Sequence, residues 1–146
     1  MNFDYFISAR YRNKEFASEL VRALRQRDYS VYFFAESRAS LAYVGAADSN
    51  GEIVMQEFEA RSPTDPAIKE IFQIDLEALK QARNFILLLP AGQSCHIEAG
   101  IAYGLGKHLV LIGKPEKTES LYCIFDEKFL TTRMFLTALK RKLRTS

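Results

Sequence analysis

Short apolar runs alternate with helical patterns along this chain, and that alternation constrains the fold more than any other feature. Asp4 to Ser8 is apolar and β-prone, Tyr29 to Ala35 is aromatic and β-branched, and Asn84 to Leu89 and His108 to Gly113 are further buried-strand patterns. Between them, Arg12 to Arg27 places Phe16, Leu20 and Leu24 on one helical face, with Ala17 and Val21 beside it. Pro66 to Ala82 carries an apolar stripe of Ile68, Ile71, Phe72, Leu76 and Leu79, with Asp65 as N-cap and Pro66 at the first helical position. Ile97 to Gly106 reads as a short helix stopped by a left-handed glycine. Thr131 or Thr132 caps a last helix whose Phe135, Leu136, Leu139 and Leu143 face inward. Strands alternating with helices predict a parallel sheet with right-handed crossovers. The expected architecture is an α/β three-layer sandwich, a flavodoxin-like parallel sheet of about five strands flanked by helices, forming a single domain over residues 1–146.

Composition narrows the function classes. The chain is 48% hydrophobic and 26% charged, as soluble globular proteins are, and no apolar run approaches the roughly 18 residues that span a bilayer. Met1-Asn2-Phe3-Asp4 has neither the basic nor the apolar region of a signal peptide, so a cytoplasmic setting without membrane partners is expected. A net charge of +2 is too small to argue for a nucleic-acid polymer, and Lys140-Arg141-Lys142-Leu143-Arg144 reads as a solvated helix end. Cys95 and Cys123 make neither a disulfide framework nor a metal cluster, so no metal and no cofactor are expected. The stretch Glu36 to Thr64 fits no element and reads as a lid or binding loop, or as a surface insertion.

Two carboxylates stand out. Pro90-Ala91-Gly92-Gln93-Ser94-Cys95-His96-Ile97-Glu98 leads from a buried strand into a helix, which puts Glu98 in the first turn at the carboxyl edge of the sheet. Ligands bind in that crevice, and N–H groups at helix starts attract anions. The plainer reading is that Glu98 only complements the helix dipole. Asp75 lies four residues after Ile71 and four before Leu79, on the apolar stripe rather than the wet face. A charge there is costly unless paired or used, so Asp75 is either a buried cap or ion pair, or a carboxylate aimed at a ligand. Two carboxylates converging near strand ends can support glycosidic-bond chemistry, one attacking and one assisting as acid. Gly92 and Ser94, in a small polar loop, suit a phosphate or sugar without forming a Walker loop. Ser8, Ala9 and Arg10 form a second polar exit loop, where Arg10 and Arg12 are phosphate ligands or solvated arginines. His96 reads as a helix-cap or supporting residue rather than a general base. The four-residue spacing of Gly100 and Gly104 predicts close packing of their helix on a strand.

These residues carry a family resemblance. Asp75-Leu76-Glu77-Ala78-Leu79-Lys80-Gln81-Ala82, the strand Phe85 to Pro90, and Glu98-Ala99-Gly100-Ile101-Ala102-Tyr103-Gly104-Leu105-Gly106-Lys107 resemble the nucleoside 2-deoxyribosyltransferase superfamily. Tyr5 to Arg10 is similar to that group's first strand and sugar-phosphate loop, and Glu119 to Asp126 to its closing segment. The resemblance implies Glu98 as nucleophile toward the anomeric carbon of a 2′-deoxyribonucleoside or its 5′-monophosphate, with transfer of the sugar to another base or to water. It implies Asp75 as the carboxylate that positions or protonates the base, and Ser8, Arg10 and Ser94 as sugar or phosphate contacts. It also implies a homodimer or higher homo-oligomer, for which Phe33, Phe34, Tyr43, Phe58 and Tyr103 are surface candidates. The chain departs from the pattern at Arg83-Asn84, where an Asp is usual, and at the bulky approach Cys95-His96-Ile97. A looser resemblance, in Asp4 to Ser8 and Ser94 to Glu98, is to Toll/interleukin-receptor domains, some of which cleave NAD with a glutamate. A third alternative keeps the fold as a non-catalytic nucleotide-binding module.

Overall fold

Five strands among the described residues form one parallel sheet: β1 (Phe3–Ser8), β2 (Val31–Phe33), β3 (Ala82–Leu88), β4 (His108–Ile112) and β5 (Glu127–Phe129), in the order β2-β1-β3-β4-β5. Four α-helices among the described residues accompany them: α1 (Lys14–Arg25), α2 (Pro66–Lys80), α3 (Gln93–Gly104) and α4 (Thr132–Thr145). The structure is a computed structural model that describes residues 2–36, 59–62 and 64–145, with side chains of α4 as far as Leu139. Most of the stretch from Glu36 to Thr64, including Tyr43 and Phe58, therefore lies outside the described residues.

The two-residue period of a strand sends alternate side chains to opposite faces, and this sequence uses both faces for core. Tyr5, Ile7, Val31, Phe33, Ile86, Leu88, Val110 and Ile112 pack against Ala17, Leu20, Val21 and Leu24 of α1 and Phe135 and Leu139 of α4. Phe6, Phe85, Leu87, Leu109 and Leu111 pack against Ala78 and Leu79 of α2 and Cys95, Ala99 and Ala102 of α3. The result is three layers, with the apolar centre of β3 fully buried as expected for a parallel strand covered on both sides. The strand order reverses between β1 and β3, because β2 lies on one side of β1 and β3 on the other. That reversal opens a crevice at the carboxyl ends of β1 and β3, the place where α/β sheets bind ligands.

Local signals hold in several places. Asp65 caps α2 by accepting from the Ala67 N–H at 2.9 Å, with Pro66 in the first turn. Thr131 caps α4 through Met134 N–H. Gly106 takes a left-handed φ of 74° after α3.

Other expectations need correction. Helix α3 begins at Gln93, not Ile97, because Gly92 is its N-cap and nothing in Gln93-Ser94-Cys95 breaks a helix. Glu98 thus sits in the second turn rather than the first, where the helix dipole is a weaker influence. Strand β2 is only Val31–Phe33, and the chain turns into a 3-10 helix at Phe34–Glu36. Phe16 and Phe72 are about half exposed, at 48% and 51%. The buried side of α1 is Ala17, Leu20, Val21 and Leu24, and that of α2 is Ile71, Ala78 and Leu79. Both phenylalanines fall about one helical position off the inward phase. Gly100 and Gly104 do not pack on a strand. A Cβ at either would meet nothing within 4 Å, because α3 docks through Cys95, Ala99 and Ala102 on its other side. Phe33, a surface candidate, is core at 4% exposure, whereas Tyr103 is 60% exposed.

Candidate active site

The strand period explains how the site is assembled. In β1, Phe6 points to the α2/α3 layer, so Ser8, two residues on, faces the same way at the carboxyl end of the strand. There it is only 3% exposed, the one polar side chain within the buried set of the described residues. Its hydroxyl donates to Glu98 Oε1 of α3 at 3.3 Å. In β2, Val31 and Phe33 point to the α1/α4 layer, so Tyr32 points to the α2/α3 layer. Its phenol donates to Asp75 Oδ1 of α2 at 2.8 Å. Asp75 is half-buried on the inward phase of α2, between buried Ile71 and Leu79. The two carboxyls thus come from different helices and are held by side chains from adjacent strands on the α2/α3 face of the sheet.

The electrostatics show that they share this space. Glu98 is pushed up from 4.5 to about 8, first by burial and then by the charge of Asp75, while the Ser8 hydroxyl pulls it back. Asp75 is pushed up from 3.8 to about 6 by burial, opposed by the hydrogen bond from Tyr32. Near neutral pH the ligand-free pair therefore holds a single proton between its two carboxyls. Burial also pushes the Cys95 thiol up, with Glu98 adding to this and Ser8 opposing it, so Cys95 is a neutral neighbour of the pair rather than a thiolate.

The remaining sequence candidates fall at varying distances from this centre. Ala9 is half-buried at the exit of β1, and the exposed Arg10 is the residue that precedes the 3-10 turn Tyr11–Asn13. Gly92 and the exposed Ser94 open α3, one turn before Glu98. His96 is engaged at both ring nitrogens, Nδ1 with the Gly92 carbonyl at 2.8 Å and Nε2 with the Tyr122 hydroxyl at 2.9 Å. The carbonyl can only accept, so Nδ1 carries a proton and donates it, and Nε2 of the neutral ring accepts from the phenol. That geometry ties the start of α3 to the 3-10 segment Ser120–Ile124. Tyr32 and Tyr122 were not legible as site residues. The alternation Val31-Tyr32-Phe33 shows that Tyr32 differs in face from its neighbours, but not which helix that face meets. Among the described residues no cluster of three or more His, Cys, Asp or Glu side chains is placed to hold a metal, and no helix is long and apolar enough to cross a membrane.

With this geometry in place, comparison with known proteins is informative about the fold. No protein-family model matches the sequence, and no curated relative matches it. Among solved structures, the chain is similar to the CMP N-glycosidase BcmB of Clostridium botulinum, with a TM-score of 0.58 at 16% identity. The match covers 93% of this chain and 97% of that one. The fold is thus an α/β three-layer sandwich shared along nearly the whole length of both chains.

Proposed function

We propose that this protein cleaves the N-glycosidic bond of a nucleotide or nucleoside, with Glu98 as nucleophile and Asp75 as the proton-transferring partner. The observation that carries this reading is a pair of carboxyls that feel each other's charge on the α2/α3 face of the sheet, under separate hydrogen-bond control by Ser8 and Tyr32. A fold shared with a CMP N-glycosidase supports it.

The reaction balances on these two groups. When substrate fills the crevice, the shared proton passes to Asp75. A carboxylate oxygen of Glu98 then bonds to C1′ as the C1′–N bond breaks. The bonding pair leaves with the base, and a ring nitrogen of the base takes the proton from Asp75. Water next attacks C1′ of the glycosyl-enzyme, losing a proton to Asp75 and releasing Glu98. A second base in place of water gives transfer. Partial removal of Glu98 from solvent suits it to attack an electron-poor carbon, since a less solvated carboxylate is the stronger nucleophile. Ser8 steadies the oxygen that does not attack.

The finer reading takes a 2′-deoxyribonucleoside 5′-monophosphate as the substrate. Arg10 and the Gly92–Ser94 loop, the latter with its N–H groups at the start of α3, receive the phosphate. It also includes a homo-oligomer. The test is incubation with deoxynucleotides, deoxynucleosides, CMP and NAD, followed by chromatography. Release of free base from nucleotides is the expected result. Nicotinamide release would favour a Toll/interleukin-receptor-like NAD glycohydrolase, and no release from any of them a binding module.

A further inference from the structure

We propose that Tyr32 is a positioning residue for the carboxyl pair, its phenol holding the Asp75 side chain and favouring its charged form in the ligand-free protein. Tyr32 pairs with Phe6, and Phe6 pairs with Phe85, so three aromatic side chains from β2, β1 and β3 stand in one row on the α2/α3 face. Tyr32 stacks on Phe6 with ring centroids 5.1 Å apart, and Phe6 stacks on Phe85 at 5.7 Å. Phe3 closes the other side of Tyr32 edge-on at 5.5 Å. Phe6 and Phe85 are fully buried, so the row is a fixed platform. A ring held this way has little rotational freedom, and its hydroxyl stays aimed at Asp75 Oδ1, 2.8 Å away.

The asymmetry within the pair follows from geometry. Asp75 receives a short hydrogen bond from a rigid phenol, whereas Glu98 receives a longer one, 3.3 Å, from a serine hydroxyl. A donor stabilises the ionised form of the carboxyl it faces. Among the described residues, the titratable groups facing Asp75 are the Tyr32 phenol from β2 and, from α3, the Glu98 carboxyl with the Cys95 thiol beyond it. The adjoining parts of β1 and β3 present Phe6, Ser8, Phe85 and Leu87, none of them charged. Among the described residues no basic side chain acts on Asp75. The phenol therefore favours the charged form of Asp75 beside Glu98. Its consequence for turnover rests on the reading of Glu98 and Asp75 given above, but its effect on the Asp75 carboxyl does not.

The experiment uses Tyr32→Phe, which preserves the aromatic row and removes only the hydroxyl. Carbon-detected NMR titration of the side-chain carboxyls of the ligand-free protein should show the Asp75 midpoint rising by about one pH unit, the size of a hydrogen bond to a charged group. In base-release assays the acid limb of the rate profile should move upward with it, with kcat falling about tenfold and KM nearly unchanged. An Asp75 titration identical in wild type and Tyr32→Phe overturns the proposal and makes Tyr32 a packing residue. If the titration moves but no substrate is cleaved, the role of Tyr32 stands and the glycosidase reading falls.

Discussion

Glu98 and Asp75 are each harder to ionise in the folded protein than in the unfolded chain, and this has a readable cost. Their values rise from 4.5 to about 8 and from 3.8 to about 6. A carboxyl raised on folding contributes stability that is fully present below its unfolded value and lost as pH rises through the folded one. The ligand-free protein should therefore lose stability between about pH 4 and pH 8, since each unit of upward shift penalises the ionised form by about 1.4 kcal/mol. Thermal melts should show Glu98→Gln more stable than wild type near pH 9 and about equal to it near pH 4. A Glu98→Gln melting curve that tracks wild type at both pH values would show that Glu98 is not strained by its surroundings. The same pair predicts a bell-shaped kcat/KM profile with limbs near 6 and 8, belonging to the pair rather than to either residue. Asp75→Asn should reduce base release by roughly 10²–10⁴-fold, the usual worth of a positioned acid or base. Arg10→Ala should raise KM for nucleotides about tenfold with little effect on nucleosides, because a hydrogen bond to a charged group contributes about 1.5–3 kcal/mol. Equal losses for both substrates would remove the phosphate role.

At the level of elements, two glycines make opposite predictions. Gly113 ends β4 with φ of 113°, and a Cβ there would stand 2.7 Å from the Leu89 Cβ. Gly113→Ala should therefore destabilise the protein by about 1–3 kcal/mol through backbone strain and collision at the crevice rim. Gly100 lies inside α3 with open space around it, so Gly100→Ala should stabilise by about 0.5–1 kcal/mol. Chemical denaturation checks both. The same elements show what the sequence made legible. Order and type of strands and helices followed from period and capping, because burial on both faces of β3 and the Asp65-Pro66 start are local signals. The inward phase of Asp75 was legible for the same reason, even though Phe72 on the assumed stripe proved exposed. The start of α3 was not, since a glycine N-cap followed by Gln, Ser and Cys leaves no strong mark. Nor were the partners of the carboxyls. Ser8 was placed near a ligand by its position at a strand end, but its bond to Glu98 spans 90 residues and that of Tyr32 to Asp75 spans 43. Such pairings depend on strand order, which no local pattern encodes.

For the whole molecule, the order β2-β1-β3-β4-β5 gathers residues distant in sequence at one crevice. Ser8 arrives on β1, Tyr32 on β2, Asp75 before β3 and Glu98 after it. The reversal between β1 and β3 puts α1 on one face of the sheet and leaves α2 and α3 together on the other. Sedimentation at assay concentrations tests the homo-oligomer expected of such a site: a strictly monomeric, fully active protein removes it. The account as a whole turns on Glu98. The amide in Glu98→Gln keeps the size of the side chain and its hydrogen bond with Ser8, but it is a far poorer nucleophile. The decisive measurement is base release from deoxynucleoside 5′-monophosphates and CMP by wild type and Glu98→Gln side by side, each shown by circular dichroism to be folded. Release by wild type that falls to the uncatalysed background in Glu98→Gln is the predicted result. Release at the wild-type rate by Glu98→Gln would contradict it.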